Sequence, residues 1–185
     1  MKYAGLSIKT YLNKLAGKTP VPGGGSAAAL FGAIGCALME MVLNYSKNSS
    51  LVKKSVVLLK NHRKRFLHLV DEDINAYKKL SSLRKKDSQA LQKALKKATL
   101  VPLEVCYLSC KGVDLCGKLL KKANRNLISD VGCAISAFVC AFNSARLNAD
   151  VNIKYIKDRK FVNSVRKQIE ALKHGKNSGW KTISR

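Results

Sequence analysis

The sequence predicts an all-α protein, a single-domain bundle of about six helices. Its 185 residues contain only three prolines, so few positions forbid a helix. Apolar residues recur at three- and four-residue steps along the chain, whereas the two-residue alternation of strands is hard to find. Hydrophobic residues make up 46% of the chain, which is enough to bury a core in one domain of this length.

Apolar periodicity and stop signals place the six helices in order. They are expected at Ser7–Ala16, Ser26–Tyr45, Leu51–Leu80, Lys86–Lys122, Leu127–Asn148 and Asp158–Lys173. The fourth is expected to be kinked or broken before Pro102, because proline lacks an N–H group and clashes with the preceding turn. Gly175 is expected to end the last helix. The sequence therefore divides into a helical domain, 1–175, and a flexible tail, 176–185.

The loop before the second helix is rich in proline and glycine and reads TPVPGGGS from Thr19 to Ser26. The prolines hold the chain extended, and the three glycines let a second molecule approach the main chain. Ser26 is a suitable N-cap for the alanine-rich helix that follows. The free N–H groups at this helix end favour an anion or a polar acceptor.

The second and fifth helices carry many small residues and have no wide charged face. Helices that are apolar nearly all round are buried ones, and small residues let their axes approach closely. We therefore expect these two helices to pack against each other at the centre, with the lysine-rich helices outside. The same apolar surface is equally consistent with a subunit interface.

The third helix is amphipathic, with one exception on its apolar stripe. Phe66, Leu69, Asp73, Tyr77 and Leu80 follow one another at three- and four-residue steps. A carboxylate at the centre of a buried face is costly unless it is paired. Asp73 is therefore either the partner of an inward-turned Arg or Lys or a carboxylate of a functional site.

The fifth helix opens with residues that suit both capping and ligand binding. Asn126 or Ser129 is a suitable N-cap, and Asp130 complements the positive helix end. Asp130 also lies on a face of small residues with polar groups at both ends, which suits the wall of a ligand site. Three amides further along the helix are interpreted as structural: Asn143, Asn148 and Asn152.

The charge of the chain is strongly positive. Lysine and arginine number 35 against 11 acidic residues, a formal net charge of +24. This balance favours anionic partners such as nucleic acid, anionic lipid or a polyanionic small molecule. The plainer interpretation is a lysine excess spread over solvated helix faces. Aromatic residues are only 6% of the chain and do not interleave with the basic runs, which disfavours base-stacking platforms.

The six cysteines show no metal-binding spacing, with no Cys-x-x-Cys pair and no histidine at zinc-finger distance. Most lie in small or apolar stretches, so we interpret them as buried thiols in a reducing compartment. The N-terminus lacks the apolar segment of a signal peptide, and the longest apolar run, Ala27 to Met39, is too short to span a membrane. The sequence thus predicts a cytoplasmic protein with neither a metal site nor a membrane segment.

Three segments occur in a distinctive order: TPVPGGGSAAAL over Thr19–Leu30, VDEDINAY over Val70–Tyr77 and NRNLISDVG over Asn124–Gly132. Together they resemble the cyclodeaminase/cyclohydrolase family of folate enzymes. This family includes the cyclodeaminase half of formiminotransferase-cyclodeaminase and stand-alone methenyltetrahydrofolate cyclohydrolases. Ala98–Leu103 and Leu147–Ile153 also resemble it, so that the likeness extends over nearly the whole chain.

The resemblance implies an all-helical homodimer that acts on tetrahydrofolate carrying a one-carbon unit, with no bound cofactor and no metal. The implied reaction is hydrolysis of 5,10-methenyltetrahydrofolate to 10-formyltetrahydrofolate, or cyclisation of 5-formiminotetrahydrofolate with release of ammonia. Because the chain contains no formiminotransferase segment, hydrolysis is expected slightly ahead of cyclisation.

The resemblance also implies a folate pocket near the Pro-Gly loop. Asp73 and Asp130 are the implied catalytic residues, with Asp73 as a buried carboxylate whose raised pKa suits proton transfer. The implied substrate-binding residues are Pro22, Gly23, Gly24, Gly25, Ser26, Tyr77, Asn126 and Ser129. Tyr77 stands where the family pattern leads us to expect phenylalanine. A basic rim would attract polyglutamylated folate, and its candidate members are Arg63, Lys64, Arg65, Lys78, Lys79 and Arg84.

Two other functions stay open. The first is a catalytically decayed basic helical protein that binds nucleic acid or another polyanion, with steep salt dependence. The second is a helical oligomeric scaffold, which the small-residue helices permit but do not require. Neither explains a carboxylate at position 73 on an apolar stripe.

Overall fold

The computed structural model describes residues 2–83 and 88–181, and within these ranges the chain is helical, without a strand. The helices are α1 (Ile8–Ala16), α2 (Gly24–Asn44), α3 (Ser50–Leu83), α4 (Ser88–Leu119), α5 (Ile128–Ile153) and α6 (Arg159–Lys181). Two short 3-10 turns, Leu120–Lys122 and Arg125–Leu127, connect α4 to α5. The predicted all-α bundle of about six helices is confirmed.

The last helix is longer than predicted. It continues through Gly175 to Lys181, so the expectation that Gly175 ends it is wrong. A glycine inside a helix costs about 1 kcal/mol relative to alanine, which a long helix tolerates. Residues 182–185 lie outside the described residues, and the division into 1–175 and a flexible tail stays a prediction.

Pro102 does not break α4, which is continuous from Ser88 to Leu119, so of the expected kink or break the break is wrong. The predicted start near Lys86 lies outside the described residues. Proline leaves the carbonyl of Ala98, four residues earlier, without its helical donor. Nδ2 of Asn152 on α5 donates to this carbonyl at 3.2 Å. A side chain of the neighbouring helix therefore replaces the hydrogen bond that Pro102 removes.

The two small-residue helices, α2 and α5, lie at the centre and pack against each other, as predicted. They run antiparallel. At one end, Nδ2 of Asn124 donates to the carbonyl of Tyr45 at 3.0 Å. At the other end, Gly24 faces the side chain of Asn148. α3 packs against α2, and α4 packs against α3, α5 and α6, so the lysine-rich helices surround the central pair.

Two aromatic rings fill the space above glycines in the core. The ring of Phe66 occupies the position that a Cβ on Gly32 would need, and Phe138 does the same at Gly112. A Cβ on Gly35 would lie 3.0 Å from the Phe138 ring. The two ring centroids are 6.5 Å apart. Glycine at these positions lets the central helices close around the rings at the density of a protein interior.

Four cysteines are buried, as predicted: Cys36, Cys106, Cys110 and Cys116. Burial raises the pKa of Cys106 and Cys116 to about 12, so these thiols stay protonated. The prediction is wrong for Cys133 and Cys140, which are exposed. They lie on a side of α5 that no other described helix covers.

α2 and the segment Arg125–Ile153 are long and apolar enough to cross a membrane, with mean hydropathies of 1.8 and 1.5. Central helices of a bundle share this property. Only 56% and 33% of the two apolar windows are buried, however. The remainder forms an uncovered surface, and the α5 part of it has no charged residue between positions 131 and 145.

Candidate functional site

A cavity of about 210 Å³ opens beside the N-terminus of α2. Its walls are the Pro-Gly loop, the start of α2, the second half of α3 and the C-terminal part of α5. A second cavity, of about 490 Å³, shares Tyr77, Leu80, Asn148 and Asn152 with the first and is lined mainly by apolar side chains. Together they form one cleft with a polar inner part and an apolar outer part.

Two other surface clefts lie between α3 and α4, about 590 Å³, and between α5 and α6, about 640 Å³. Ion pairs within these clefts neutralise Arg65 with Glu72 and Glu104, and Arg146 with Asp150. The cleft at the α2 N-terminus instead holds a carboxylate and helix N–H groups that face a ligand-sized space. We therefore take the cleft at the α2 N-terminus as the candidate site.

Asp73 lies in the wall of the inner cavity, with its carboxylate against the backbone of Gly25. A Cβ on Gly25 would overlap the Asp73 carboxylate, so only glycine allows this approach. The backbone N–H of Ser26, in the first turn of α2, donates to the carboxylate. The positive end of a central helix thus holds the Asp73 carboxylate in place.

Burial raises the pKa of the Asp73 carboxyl to about 6, and the hydrogen bond from Ser26 offsets part of that effect. No lysine or arginine of the described chain forms an ion pair with Asp73, so the salt-bridge interpretation gains no support. A carboxyl that titrates near 6 exchanges its proton close to neutral pH, which general acid–base catalysis requires.

Ser26 does not cap α2, which begins earlier, at Gly24, with Gly23 as its N-cap. The predicted role is wrong because the glycines themselves are helical. Ser26 is instead fully buried, and its hydroxyl lies 2.9 Å from Oη of Tyr11 on α1. Tyr11 thus contacts Ser26, and Ser26 contacts Asp73, so that α1 is connected to the cleft. The sequence analysis did not select Tyr11 as a residue of the site. The one signal that could have found it is its position on the apolar side of α1.

Tyr11→Phe is expected to lower the free energy of unfolding by about 1–2 kcal/mol, because it leaves the buried Ser26 hydroxyl without its partner. Urea unfolding of Tyr11→Phe, Ser26→Ala and the double variant measures the effect. A coupling energy of about 1 kcal/mol between the two positions is expected. Strictly additive effects would show that the hydroxyls do not interact.

Asn148 and Asn152 line both parts of the cleft, although the sequence analysis interprets them as structural. Nδ2 of Asn148 donates to the Ser144 carbonyl at 2.8 Å, and Nδ2 of Asn152 donates to Ala98. Each hydrogen bond engages one of the two N–H groups of its amide, and Oδ1 of each side chain can accept from a ligand. Their four-residue spacing, which places both on one side of α5, is the signal that could have found them.

The structure brings most of the predicted loop and α3 residues together. Gly23, Gly24, Gly25, Asp73 and Tyr77 all line the inner cavity. Pro22 and Ser26 are buried in the same segment of chain. This half of the predicted site is one continuous surface.

The third predicted segment lies far from that surface within the same chain. Asp130 stands 18 residues before Asn148 (130 to 148) on the continuous helix α5, which is about 27 Å at 1.5 Å per residue. Asn126 and Ser129 lie at the same distant end and are exposed. None of the three caps α5. The side chain of Asn124 instead accepts a hydrogen bond from the Asn126 N–H at 3.0 Å, at the preceding 3-10 turn.

The structure describes five of the six residues of the predicted basic rim. Arg63 and Arg65 are engaged in ion pairs with glutamates of α2, α3 and α4. Lys79 lines the separate cleft between α3 and α4, and Arg84 lies outside the described residues. A polyglutamate site on this rim stays a prediction.

Among the described residues, no group of three His, Cys, Asp or Glu side chains could hold a metal ion. The polar groups of the cleft are one carboxylate, two amide oxygens, a phenol and the N–H groups of a helix end. Such a set recognises an organic ligand that carries both hydrogen-bond donors and positive charge.

Comparisons with known proteins agree with this description. The profile of the formiminotransferase-cyclodeaminase family matches residues 7–171. A methenyltetrahydrofolate cyclohydrolase of Methylorubrum extorquens is 33% identical over 90% of this chain and 88% of its own length. A formimidoyltransferase-cyclodeaminase of Dictyostelium discoideum is 31% identical over 97% of this chain but only 36% of its own length.

A solved structure has the same fold. The formiminotetrahydrofolate cyclodeaminase of Thermotoga maritima matches with a TM-score of 0.93 and 27% sequence identity, over 97% of this chain and 94% of the other. The chain thus spans nearly the full length of two relatives and about a third of the formimidoyltransferase-cyclodeaminases.

Proposed function

This chain belongs to the formiminotransferase-cyclodeaminase family, and from that premise we propose that it is a folate one-carbon enzyme acting in the cleft beside Asp73. The favoured reaction is hydrolysis of 5,10-methenyltetrahydrofolate to 10-formyltetrahydrofolate. The observation that carries this proposal is the half-buried Asp73 carboxyl, with its pKa of about 6, at a glycine-lined helix end. The 33% identity to a methenyltetrahydrofolate cyclohydrolase supports hydrolysis.

The cleft suits the parts of this substrate. Methenyltetrahydrofolate has a reduced pterin whose pyrimidine ring carries N–H donors, an aromatic ring, and a cationic carbon that bridges N5 and N10. The Oδ1 atoms of Asn148 and Asn152 accept from the pterin donors, while the apolar outer cleft holds the rings. The Asp73 carboxylate attracts the cationic bridge, an interaction that a partly buried site strengthens.

Hydrolysis begins with water attack on the bridging carbon. The Asp73 carboxylate accepts a proton from that water as the carbon–oxygen bond forms, and the cation becomes a neutral carbinolamine. The ionised form of Asp73 therefore stabilises the cation before attack and serves as the general base during it. The Ser26 N–H and the Gly25 backbone keep the carboxylate in position.

Ring opening completes the reaction. The protonated Asp73 donates its proton to N5 as the carbon–N5 bond breaks, and the carbinol hydroxyl loses its proton to solvent. The carbon stays on N10 as a formyl group, so that one water is consumed and one proton released. A pKa of about 6 suits a carboxyl that must first accept and then donate.

A second reaction is cyclisation of 5-formiminotetrahydrofolate, favoured by the 0.93 TM-score to a formiminotetrahydrofolate cyclodeaminase. There N10 attacks the formimino carbon, and a proton passes from N10 to the departing ammonia. Asp73 is within reach of the same bridge atoms and would carry that proton. Neither reaction requires a metal or a further cofactor.

We also propose that the enzyme is a homodimer that associates through one uncharged surface of α2 and α5. On α2 this surface comprises Ala27, Phe31, Ile34, Leu38 and Met41, and on α5 it comprises Ser129, Cys133, Ser136, Cys140, Asn143 and Leu147. We call it the neutral face. With a net charge of +24, two copies repel each other least where both present no lysine or arginine. The cytoplasmic location expected from the sequence stays part of this proposal.

The pH dependence of kcat/KM follows from Asp73. Because the free enzyme needs the carboxylate as a base, kcat/KM is expected to rise with pH and to level off above an apparent pKa of about 6. Initial rates of methenyl absorbance loss between about pH 5 and pH 8, corrected for the uncatalysed reaction, give the profile. A rate that is flat across this range, or that falls as Asp73 ionises, would remove this carboxyl as the base.

The substrate assignment is tested by offering the purified protein each folate separately. Loss of the methenyl chromophore well above the uncatalysed rate identifies the hydrolase, and its appearance from 5-formiminotetrahydrofolate with ammonia release identifies the cyclodeaminase. Consumption of neither folate, together with tight salt-dependent binding of nucleic acid, would favour the decayed basic protein instead.

A further inference from the structure

We propose that the cleft between α3 and α4 binds a fatty acid in its carboxylate form. The proposed folate chemistry does not use this cleft, and the inference does not rest on the proposed function. The volume of the α3–α4 cleft, about 590 Å³, lies within the range of small-molecule sites. Three properties identify the ligand: a solvent-accessible apolar lining, cations without ion-pair partners on both walls, and one closed end.

The lining of the α3–α4 cleft is mainly apolar. Half of its lining residues are alanine, valine or leucine: Ala76, Leu83, Ala90, Ala94, Leu100 and Val101. Leu100 keeps 50% of its surface exposed, although burial of a leucine side chain is favourable. A ligand that fills the cleft removes this apolar surface from water, so the lining favours a hydrocarbon group.

Lysines line both walls of the α3–α4 cleft. Lys79 belongs to α3, and Lys93 and Lys97, which lie one turn apart on one side of α4, belong to the opposite wall. Within residues 2–83 and 88–181, no ion pair engages any of these three ammonium groups. Their positive charge is therefore available to an anion that enters the cleft from solvent.

The arginine of the lining is already neutralised. One edge of the Arg65 guanidinium donates to Glu104, with Nε 2.6 Å from Oε1 and Nη2 2.7 Å from Oε2, and the other edge donates to Glu72. A guanidinium with both edges occupied by carboxylates offers no free fork to a phosphate group. The lysines, which act as point charges, remain, and they suit the single negative charge of a carboxylate.

The same ion pairs close one end of the α3–α4 cleft. Arg65 on α3 and Glu104 on α4 bridge the two helices there, whereas Leu83 and Ala90 line the far end. Glu72 and Leu83 are 11 residues apart (72 to 83) on the continuous helix α3, which is about 16 Å at 1.5 Å per residue. An extended chain of twelve carbons has about this length.

A fatty acid has the three features that the cleft requires. Its hydrocarbon chain covers the apolar lining, its carboxylate lies among the lysines, and its length fits the space beside the bridge. A helix of a partner protein, about 10 Å wide, would have to pass over the bridge between Arg65 and Glu104. A second copy of this chain is disfavoured by the net charge of +24 that both copies carry.

Calorimetric titration of the full chain with laurate, the twelve-carbon acid, tests the proposal at about 0.15 M salt. We expect saturable binding of one laurate per chain. Octanoate should bind at least about tenfold more weakly, because it lacks four of the CH₂ groups. Dodecyltrimethylammonium, which has the same chain and the opposite charge, should show no saturable binding. Absence of one-site binding, or equal affinity for laurate and octanoate, overturns the proposal.

Two variants test whether laurate lies in this cleft. Lys93→Glu combined with Lys97→Glu should weaken laurate binding at least about tenfold, since two charges of one wall are reversed. Leu100→Glu, which places a carboxylate on the apolar lining, should cause a loss of similar size. All three side chains are exposed on α4, so the fold should tolerate these changes. Wild-type affinity in both variants would exclude the α3–α4 cleft as the site.

Matched controls lie on α3 outside the cleft. Lys60→Glu combined with Lys64→Glu changes the net charge equally, at the same four-residue spacing and on exposed side chains. Leu51→Glu replaces a leucine that is also 50% exposed. Both controls should bind laurate within about twofold of the wild type. Losses equal to those of the cleft variants would show a response to overall charge alone and would contradict the proposal.

Three further ligands distinguish the occupants. Dodecyl phosphate should bind no more tightly than laurate, while pentaglutamate and a synthetic acidic amphipathic helix should each bind at least about tenfold more weakly. Preference for the phosphate, for the polyanion without a hydrocarbon chain or for the helix would overturn the assignment to a fatty acid. These titrations contain no folate, so a failure of the proposed function leaves their outcome unaffected.

Discussion

Asp73→Asn is expected to abolish turnover of methenyltetrahydrofolate, with kcat falling by about 10²–10⁴-fold, the usual contribution of a general acid–base group. The amide is close in shape to the carboxyl and can still accept the Ser26 N–H, so the fold is retained. It can neither take the proton of the attacking water nor offset the charge of the bridge. Loss of methenyl absorbance under saturating substrate measures the effect, and a variant with wild-type kcat would remove Asp73 from the mechanism.

The same substitution is expected to stabilise the protein near neutral pH. The folded pKa of about 6 lies above the unfolded value of 3.8. The folded state therefore favours the protonated carboxyl, and the free energy of unfolding falls as pH rises from about 4 through about 6. Asparagine avoids that cost. Urea unfolding should show Asp73→Asn more stable by roughly 2–3 kcal/mol near pH 8, with the difference vanishing below about pH 4.

Asp71→Asn provides the matched control on the same helix. Asp71 accepts a hydrogen bond from the Tyr3 N–H at 2.6 Å and does not line the cleft. Its replacement should leave kcat within about threefold of wild type, since it removes only a contact to the N-terminal segment. Equal loss of activity in both variants would indicate a general disturbance of α3 rather than a role specific to Asp73.

Gly25→Ala is expected to lower kcat/KM by about 100-fold, because its Cβ would overlap the Asp73 carboxylate and displace it from the helix end. Gly5→Ala, outside the cleft, is the control, since a Cβ there meets only the Lys2 carbonyl oxygen at 3.9 Å, an ordinary contact. Combined with Asp73→Asn, Gly25→Ala should cause little further loss, because both act through one group. Wild-type kcat/KM in Gly25→Ala would show that the carboxylate position tolerates displacement.

How much of the site could be predicted depends on the kind of signal each residue leaves. Asp73 was detectable because a carboxylate interrupts an apolar stripe, and the glycines because three in a row precede a strong helix. Asn148 and Asn152 left a weaker signal. An amide on a helix face is common at a protein surface. Only the folded chain shows that the Ala98 carbonyl, which lacks its helical donor because residue 102 is proline, accepts a hydrogen bond from Asn152.

The central helices illustrate a different limit. Their packing against each other at the centre followed from small residues and the absence of charge, and the structure confirms it. The exposure of Cys133 and Cys140 did not follow, because this exposed face of α5 has the same apolar, small-residue composition as a face in the core. For the same reason, the order of motifs along the chain could not reveal that Asp130 lies far from Asp73 in one subunit.

The most direct measurement of the central claim is the titration of the Asp73 carboxyl itself. Carbon-detected NMR of protein labelled at aspartate, with Asp73→Asn for assignment, gives its midpoint in the free enzyme and with 5-formyltetrahydrofolate, a stable folate. We expect a midpoint near 6 and a saturable change of this resonance when the folate binds. A midpoint near 4 with no response to the folate would contradict it.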